Sequence, residues 1–553
     1  MANSKMTPQE AARLSIAEQY EWFKNVTSRR SLLRGGLVGA GALTVGGTAL
    51  AGPAAAATGT STTATVTATA AASASAATSA SAGAALLATA DRPSGSFLAP
   101  FARHIAFGPD PSTSMAVAWQ VPAVVSKPFV RIGFSPIDLG EKIPATLSVL
   151  STPWGDVSPV DSVPLATPTT VEQYYVQARI SHLLPGTTYY YAVGHSGYDP
   201  ASSPALEPVR SFTTAPGRTT AFTFTAFGDQ GESYDAVATG NLVRSQNPAF
   251  HLHAGDLSYA NDGGSGQVTN SYDPRVWDSF LVQNESFASA VPWQTVVGNH
   301  EMEPWYSPDG YGGFFQRFVQ PTENQAYYSF TYGNVAFLAL DANDVTYEYT
   351  ANFDYSSGAQ TTWLARRLAA FRASEDIDFI VAFFHECAYC TATAHGSDGG
   401  VRAAWTPLFD QYSVDLVING HNHVYERTDP LKAGAVTTSA PIGSTVDAAT
   451  QGTTYVVAGS AGNSLYAFTA TDSYEGDVNN DGSVASWVRN SSGGKTDETV
   501  DWSRIRYTGY ALLSVSSQPG NRSHGSSSSA KLVLRALNEN GVEVDQLTIQ
   551  RTA

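Results

Sequence analysis

Metal-binding side chains follow five separate apolar runs in this chain of 553 residues. Runs of this length that are rich in Phe and Val are typical of buried strands. The runs cover residues 222–227, 249–254, 293–297, 379–384 and 414–418. In an open α/β sheet, ligands bind where the strands reach their carboxyl ends. We therefore expect the polar residues that follow the five runs to meet in one site.

The residues after these runs form a mixed set of oxygen and nitrogen donors. Carboxylate, amide, phenol and imidazole donors suit two divalent or trivalent cations, so the set predicts a two-metal hydrolase site. Each motif is weak when it is taken singly, but the complete set in this order is specific. The candidate ligands are Asp229, Asp256, Tyr259, Asn299, His385, His421 and His423.

The intervals between these ligands are long enough for a crossover helix between neighbouring strands. Apolar residues at helical spacing predict helices over residues 234–243, 360–371 and 401–412. Repeated β-α-β units with a ligand at each strand end are the expected architecture. His251 and His253 alternate along a strand before Asp256, and we expect them to be packed rather than to bind a metal.

The ordered motifs G-D-x-G, G-D-x-x-Y, G-N-H-E, H and G-H-x-H resemble those of the calcineurin-like metallophosphoesterases. The Tyr in G-D-x-x-Y is typical of the purple acid phosphatases among them. The similarity covers the chain from about residue 103 to the C-terminus. It implies an α/β metallophosphoesterase fold, in which two mixed β-sheets pack together and are flanked by helices, preceded by an all-β sandwich.

The resemblance also implies how two metal ions are held. Fe(III) would be bound by Asp229, Tyr259 and His423. A second ion, Fe, Zn or Mn in the divalent state, would be bound by Asn299, His385 and His421. Asp256 would bridge the two ions.

The function implied by the resemblance is that of an acid phosphatase, in which a metal-bound hydroxide attacks a phosphomonoester. A phosphodiesterase or nucleotidase stays open, because the metal set does not select the ester, and a surface binding protein is the non-enzyme alternative. His300 is the first candidate to protonate the leaving group, and Glu301 would orient it. His395 is the second candidate, with an exposed loop histidine as its alternative role.

Residues 1–57 are predicted to be a twin-arginine signal peptide, because Arg29 and Arg30 precede a Gly-rich apolar stretch and small residues. That stretch contains too many glycines to favour a membrane span. Residues 58–95 are almost wholly Ala, Ser, Thr and Gly, which predicts a linker. We therefore expect export by the twin-arginine machinery, and no membrane span in the processed chain.

The remaining chain divides by its patterning. Residues 96–216 alternate apolar and polar side chains, and 183–193 resemble a fibronectin type III corner in which a Tyr hydroxyl holds a turn. Residues 219–469 form the predicted catalytic domain, 470–504 a polar inserted loop, and 505–553 the closing strands. Residues 477–482 match the first half of a calcium loop but lack its final Glu, which favours a polar turn.

Charge and cysteine content exclude several classes of protein. The net charge of −17 leaves no basic surface for nucleic acid, so small phosphate esters are the expected substrates. Cys387 and Cys390 are the only cysteines. One C-x-x-C pair cannot form a complete structural zinc site, and it indicates a local disulfide or two packed thiols.

Overall fold

The computed structural model describes residues 6–27, 98–154, 169–202, 209–323, 325–478, 482–520 and 529–551. None of the helices in these ranges combines the length and the apolarity needed to cross a membrane. The helices are α1 Pro8–Ala11, α2 Ile16–Thr27, α3 Tyr234–Ser245, α4 Val276–Ala288, α5 Gly312–Arg317, α6 Ala359–Arg372, α7 Gly399–Gln411 and α8 Ala448–Gln451, with 3₁₀ turns at Asn299–Glu301, Ala342–Asp344 and Thr350–Asn352.

The N-terminal part is an all-β sandwich of two four-stranded antiparallel sheets, with orders β1-β2-β6-β5 and β4-β3-β7-β8. Trp119 is buried in its core. The Tyr189 hydroxyl accepts a hydrogen bond of 2.8 Å from the Leu184 amide, which holds the corner as the sequence predicts. The likeness to fibronectin type III itself stays a prediction. The strands are β1 Phe101–Phe107, β2 Met115–Val121, β3 Phe129–Gly133, β4 Glu141–Pro144, β5 Thr146–Trp154, β6 Thr169–Ile180, β7 Thr188–Gly194 and β8 Arg210–Thr213.

The rest of the chain is built on two large mixed sheets. The strands are β9 Phe222–Phe227, β10 Phe250–His253, β11 Trp293–Thr295, β12 Tyr328–Tyr332, β13 Val335–Ala339, β14 Phe379–Phe384, β15 Ser397–Asp398, β16 Leu416–Asn419, β17 Tyr425–Thr428, β18 Leu431–Lys432, β19 Ala435–Val436, β20 Ser444–Asp447, β21 Thr454–Ala458, β22 Ser473–Tyr474, β23 Asp477–Val478, β24 Val484–Arg489, β25 Lys495–Val500, β26 Ser503–Tyr507, β27 Ala511–Gln518, β28 Ala530–Asn538 and β29 Glu543–Arg551.

A seven-stranded sheet of order β11-β10-β9-β27-β28-β29-β20 faces a nine-stranded sheet of order β12-β13-β14-β16-β21-β17-β26-β22-β23. The pairs β9/β10, β10/β11, β13/β14 and β14/β16 are parallel, so their carboxyl ends point the same way within each sheet. This is the predicted architecture of two packed mixed sheets flanked by helices.

Strand β14 explains why such strands are apolar throughout. All six of its residues are buried. Phe379, Val381 and Phe383 pack in the core between the two sheets, whereas Ile380 and its alternate neighbours pack against Leu364 and Leu368 of α6. Because both faces of the strand are covered, the sequence shows a continuous apolar run rather than alternation.

The predicted polar loop differs from the structure. The region 470–504 is not a loop, because β24 and β25 form an antiparallel hairpin within it and β24 continues a small sheet from β15. Strand β25 was hard to predict because K-T-D-E-T-V has almost no apolar side chains. Residues 479–481 of the candidate calcium loop lie outside the described residues, as do 28–57 of the predicted signal and the linker 58–95.

The segment 6–27, predicted as part of the signal only, packs onto the catalytic part of the chain. Ile16 is fully buried in a cluster that includes Tyr311 and Met302. Gln19 accepts a hydrogen bond of 2.8 Å from the Val268 amide and donates one of 3.1 Å to the Gly266 carbonyl. Because the Ile16 side chain is packed in this cluster, the segment contributes to the folded structure in addition to any targeting role.

Candidate metal centre

All seven predicted ligands lie together where the two sheets meet. The seven-stranded sheet contributes residues that follow β9, β10 and β11, and the nine-stranded sheet contributes residues that follow β14 and β16. Six of the seven are buried, and Tyr259 is half-buried. The donors therefore come from both sheets, and the site depends on how the sheets pack.

The first group of donors surrounds the Nε2 atom of His385. This nitrogen lies 3.0 Å from Asp256 Oδ2, 3.1 Å from Asn299 Oδ1 and 3.2 Å from His421 Nδ1. It lies 3.9 Å from Asp229 Oδ1, which belongs to the second group. Four side chains thus direct possible ligand atoms at one small volume.

The second group of donors surrounds the Tyr259 hydroxyl. This oxygen lies 2.9 Å from His423 Nε2 and 3.2 Å from Asp229 Oδ1. His423 Nε2 is 3.4 Å from the same carboxylate oxygen. The structure therefore separates the donors into two neighbouring groups, with Asp229 and Asp256 between them.

Hydrogen bonds on the outer side of the three histidines determine which nitrogen faces the site. His385 Nδ1 lies 2.8 Å from the Ala254 carbonyl oxygen, and His423 Nδ1 lies 2.6 Å from the Ser464 carbonyl oxygen. A carbonyl only accepts, so in the neutral imidazole these nitrogens carry the hydrogen and Nε2 is bare.

The same argument places the hydrogen of His421 on Nε2, which lies 3.1 Å from the Glu348 carboxylate. In its neutral form, each of the three histidines then turns a bare nitrogen toward the other donors of the site. Oxygen and nitrogen donors of these types fit iron, zinc or manganese, and neutral imidazoles oriented in this way are typical metal ligands. The residues present therefore fit a pair of metal ions.

Glycines before the ligands let the loops approach one another. A Cβ added to Gly298 would lie 2.2 Å from Asp256 Oδ1, and one added to Gly420 would lie 2.5 Å from Asp229 Oδ2. Both distances are far below van der Waals contact, so any side chain there would push a candidate ligand away. This explains the glycine in the G-N-H-E and G-H-N-H motifs.

Four of the candidate ligands have a left-handed backbone. The φ angles are 59° at Asp229, 50° at Asp256, 59° at Tyr259 and 70° at His421. Each such conformation in a residue other than glycine costs on the order of 1–3 kcal/mol and is found mostly at functional sites. The fold therefore uses part of its stability to aim these side chains at the site.

Without bound cations the surroundings favour neutral side chains at Tyr259 and His421, whereas at His385 the carboxylates of Asp256 and Asp229 outweigh burial and raise the pKa well above its ordinary value. Burial raises the pKa of Tyr259 well above its ordinary value, and the Asp229 and Asp256 carboxylates raise it further. Burial lowers the pKa of His421 to about 3, with a contribution from His395. A neutral imidazole is the form that binds a metal. A phenolate at Tyr259, in contrast, requires a cation close to its oxygen.

Comparisons with known proteins identify the family. The model of the purple acid phosphatase N-terminal domain matches residues 100–214, and the calcineurin-like phosphoesterase model matches residues 222–425. An uncharacterized protein of Mycobacterium tuberculosis strain H37Rv is 32% identical over 394 residues, which cover 65% of this chain and 69% of that protein. The chain belongs to the purple acid phosphatase family of calcineurin-like phosphoesterases. It is a phosphoric ester hydrolase.

Plant members of the family and one solved structure extend the comparison. Purple acid phosphatase 15 of Arabidopsis thaliana is 30% identical over 278 residues, which cover 45% of this chain and 49% of that protein. A purple acid phosphatase from yellow lupin seeds superposes with a TM-score of 0.60 at 20% identity, covering 82% of this chain and 75% of the lupin chain. At that identity the superposition supports the fold only.

His300 lies beside the donors. Its Nε2 is 3.8 Å from Asp256 Oδ2, its ring packs 4.3 Å from the Tyr259 ring, and 14% of its side chain is exposed. His300 Nδ1 lies 2.5 Å from the Asn261 carbonyl oxygen, so Nδ1 carries a hydrogen.

The prediction that Glu301 orients His300 is not what the described residues show. Glu301 instead accepts backbone hydrogen bonds, of 2.8–2.9 Å, from Gly298, Asp256 and Leu257. Glu301 therefore supports the loops rather than the histidine, because its carboxylate lies beneath the backbone of two ligand motifs.

His395 lies beside His421, and the centroids of the two rings are 4.1 Å apart. Its Nδ1 is 3.0 Å from Glu348 Oε1, and 20% of its side chain is exposed. The spacing of His395 from His385 in the sequence predicted that His395 lies at this site, and the structure places it there.

Three further residues at the site carry no signal in the sequence. Glu348 contacts His421 and His395, Arg489 pairs with Glu348, and the Tyr466 ring stacks 4.0 Å from the His423 ring. None of the three follows an apolar strand, and Arg489 and Tyr466 lie beyond the last residue that the two family models match. No local signal marked them, since only the folded chain brings them to the donors.

Proposed function

We propose that the chain is an exported acid phosphatase that hydrolyses phosphomonoesters at a centre of two metal ions. The observation that carries the proposal is the pair of donor groups in which each histidine donates its outer N–H to a protein oxygen and turns a bare nitrogen inward. A phosphoenolpyruvate phosphatase of Allium cepa, 28% identical over 259 residues, is a relative that supports activity on monoesters.

Asp229, Tyr259 and His423 would hold Fe(III), and Asn299, His385 and His421 would hold a divalent iron, zinc or manganese ion, with Asp256 between them. When bound there, two such ions would supply a nucleophile by lowering the pKa of water and would offset negative charge on the phosphoryl oxygens. The half-buried Tyr259 hydroxyl within 3.2 Å of both Asp229 and His423 supports a phenolate ligand.

His300 is proposed to protonate the leaving alkoxide. Because its Nδ1–H is held by the Asn261 carbonyl, Nε2 is the nitrogen that can carry a second proton toward the substrate. His395 is proposed to contact the phosphate from the opposite side. Its partly exposed ring beside His421 supports this role.

Export is proposed on the sequence alone, from Arg29 and Arg30 and the apolar stretch that follows them. We also propose that the domains are divided at residues 57, 95 and 216.

Replacing both Arg29 and Arg30 with lysine tests the export route and should retain the full-length protein in the cytoplasmic fraction of the producing cell. Unchanged export of that variant would exclude a twin-arginine route.

The activity is tested by comparing 4-nitrophenyl phosphate with bis(4-nitrophenyl) phosphate between pH 4 and pH 9. We expect faster hydrolysis of the monoester at acid pH, and loss of both metal and activity in Asp256→Asn. Asp262→Asn is the matched control, because it removes an exposed carboxylate from the same region. Faster hydrolysis of the diester would replace the phosphatase with a phosphodiesterase. Full activity and two metal equivalents in Asp256→Asn would overturn the two-metal centre.

A further inference from the structure

We propose that Glu348 and Arg489 form a positioning pair that holds His421, and with it the second metal site, in place. The proposal rests on the proposed function, in which His421 is a metal ligand. His385 and His423 each have a backbone carbonyl behind them. His421 differs, because a carboxylate lies behind it.

The carboxylate of Glu348 is shared between two imidazoles and one guanidinium. Its Oε2 lies 3.1 Å from His421 Nε2, and its Oε1 lies 3.0 Å from His395 Nδ1. Arg489 Nη2 donates to the same Oε1 atom. The side chains of Glu348 and Arg489 are only 13% and 14% exposed. Partly buried, charge-assisted hydrogen bonds of this kind are stronger and more directional than neutral ones.

The backbone on both sides of the pair is held by one aspartate. Asp398 Oδ2 accepts hydrogen bonds from the Thr346 hydroxyl at 2.8 Å and from the Tyr347 amide at 3.0 Å, directly before Glu348. Asp398 is also the register partner of Arg489 in the pairing of β15 with β24. Glu348 and Arg489 are therefore brought together by a short piece of sheet, and not by chance contact of long side chains.

The hairpin β24-β25 delivers Arg489 from outside the part of the chain that the two family models match. The hairpin packs closely against the backbone at Gly396, because a Cβ added there would lie 2.7 Å from the Trp487 ring of β24. A second ion pair, Arg402 with Glu498 at 2.8 Å, attaches β25 to α7. The hairpin thus places a cation behind the Glu348 carboxylate.

A carboxylate behind a ligand histidine determines its tautomer and ring orientation, and losing such a partner typically weakens metal binding about 10–100-fold. Arg489 acts one step further away, through Glu348. We therefore expect the loss of metal affinity to be larger for Glu348→Gln than for Arg489→Gln, with Arg489→Lys between Arg489→Gln and the wild type.

The experiment measures Zn(II) binding to the metal-depleted full-length protein by competition with a chromophoric chelator. The wild type should bind two equivalents, and Glu348→Gln should weaken one of them about 10–100-fold while the other keeps its affinity. Asp497→Asn is the matched control, because it removes an exposed carboxylate of the same hairpin without touching a ligand, and it should bind Zn(II) as the wild type does. A purely structural role would lower the melting temperature of the metal-free protein and leave both affinities unchanged.

Two failures can be told apart. If the wild type itself does not bind two equivalents, the proposed two-metal function is wrong. If the wild type binds two and Glu348→Gln binds both with unchanged affinity, the positioning pair alone is overturned. Should Glu348→Gln fail to fold, the Arg489→Gln and Arg489→Lys series decides, and equal affinities across that series would also overturn the proposal.

Discussion

Several donors in the site are held by groups that lie outside it. Glu301 accepts backbone hydrogen bonds from three residues of two ligand motifs, whereas carbonyl oxygens hold His385 and His423. Support of this kind leaves the inward faces of the donors free for cations. Mutations at the donors and mutations behind them should therefore have different signatures in metal binding and in turnover.

Tyr259 is the residue whose replacement tests the metal identity. Burial and two carboxylates raise its pKa, so only a strongly charged cation at its oxygen makes the phenolate favourable. Iron-loaded wild type should be coloured by a phenolate–Fe(III) absorption band, and Tyr259→Phe should lose the band while keeping part of the activity. Visible spectra of the two proteins check this. Tyr466→Phe, which removes only the hydroxyl of the ring stacked on His423, should keep the band. A colourless, active iron-loaded wild type would contradict the assignment.

His300 is the residue whose replacement tests proton transfer. Since it lies 3.8 Å from Asp256 and is not among the predicted ligands, His300→Ala should keep both metals. The rate should fall about 10²–10⁴-fold, the usual contribution of a positioned acid. Rates with an alkyl phosphate should fall more than rates with nitrophenyl phosphate, whose leaving group needs less protonation. Equal losses would indicate that His300 binds phosphate instead. His395→Ala serves as a comparison, with a smaller expected loss.

The candidate ligands were predictable because their signal is local. Asp229, Asn299 and His385 each come directly after an apolar strand, and strand ends meet at one edge of a sheet. Glu348 and Arg489 gave no such signal, because they approach each other across 141 positions of sequence. The predicted contact of Glu301 with His300 differs from the structure for a related reason. Adjacency to His300 in sequence suggested contact, but the 3₁₀ turn points the two side chains to different neighbours.

At the scale of elements, the helix Ile16–Thr27 braces a loop of the site. Its Gln19 pairs with the backbone at Gly266 and Val268. The same loop supplies the Gly264 carbonyl to Asn299 and the Asn261 carbonyl to His300. This segment, which is predicted only to be a targeting signal, therefore contacts the loop whose carbonyl oxygens hydrogen-bond Asn299 and His300.

In the full-length protein, which still carries residues 1–57, removing this brace should reduce stability and turnover together. Ile16→Ala deletes a fully buried side chain, which costs about 2–5 kcal/mol when the cavity does not collapse. Thermal unfolding of the full-length protein should show a lower midpoint, and deletion of residues 1–27 should lower it at least as much. Glu21→Ala on the exposed face of the same helix should change little. A truncated protein with an unchanged midpoint would mean that the helix does not contribute to the folded enzyme.

Elements with clear periodicity were predicted well, and the others were not. The helices expected at 234–243, 360–371 and 401–412 correspond to Tyr234–Ser245, Ala359–Arg372 and Gly399–Gln411. The hairpin β24-β25 was predicted as a loop because Lys495–Val500 is largely exposed and polar, and its strand character comes from backbone pairing with β24. Backbone pairing of this kind depends on the partner strand, which the local sequence does not specify.

At the scale of the whole molecule, the site exists only while the two sheets stay packed. Asp229, Asp256 and Asn299 follow strands of the seven-stranded sheet, and His385 and His421 follow strands of the nine-stranded sheet. Aromatic side chains join the sheets in the core, where the Phe250 and Phe337 rings meet edge to face at 5.1 Å. The predicted two-sheet architecture is confirmed, but the polar contacts between the sheets could not be predicted from periodicity.

One of these polar contacts is the buried pair of Arg427 in β17 and Asp545 in β29. Arg427 Nε and Nη2 donate to the two carboxylate oxygens at 2.6 and 3.0 Å, and the Tyr425 hydroxyl donates to Oδ2 at 2.9 Å. Both charged side chains are at most 2% exposed. Removing one partner from such a pair leaves an uncompensated buried charge, which costs about 3–5 kcal/mol.

Asp545→Ala should therefore lower the unfolding midpoint strongly, whereas Glu543→Ala should cost only about 0–1 kcal/mol, because its pair with Arg535 is exposed. The double variant Arg427→Met/Asp545→Leu should recover much of the loss, since apolar replacements leave no buried charge. Denaturant unfolding of the three variants checks the order. Because the candidate ligands come from both sheets, Asp545→Ala should also release bound Zn(II) at a lower temperature than Glu543→Ala. Metal release that stays unchanged while unfolding shifts would show that the site does not depend on this contact between the sheets.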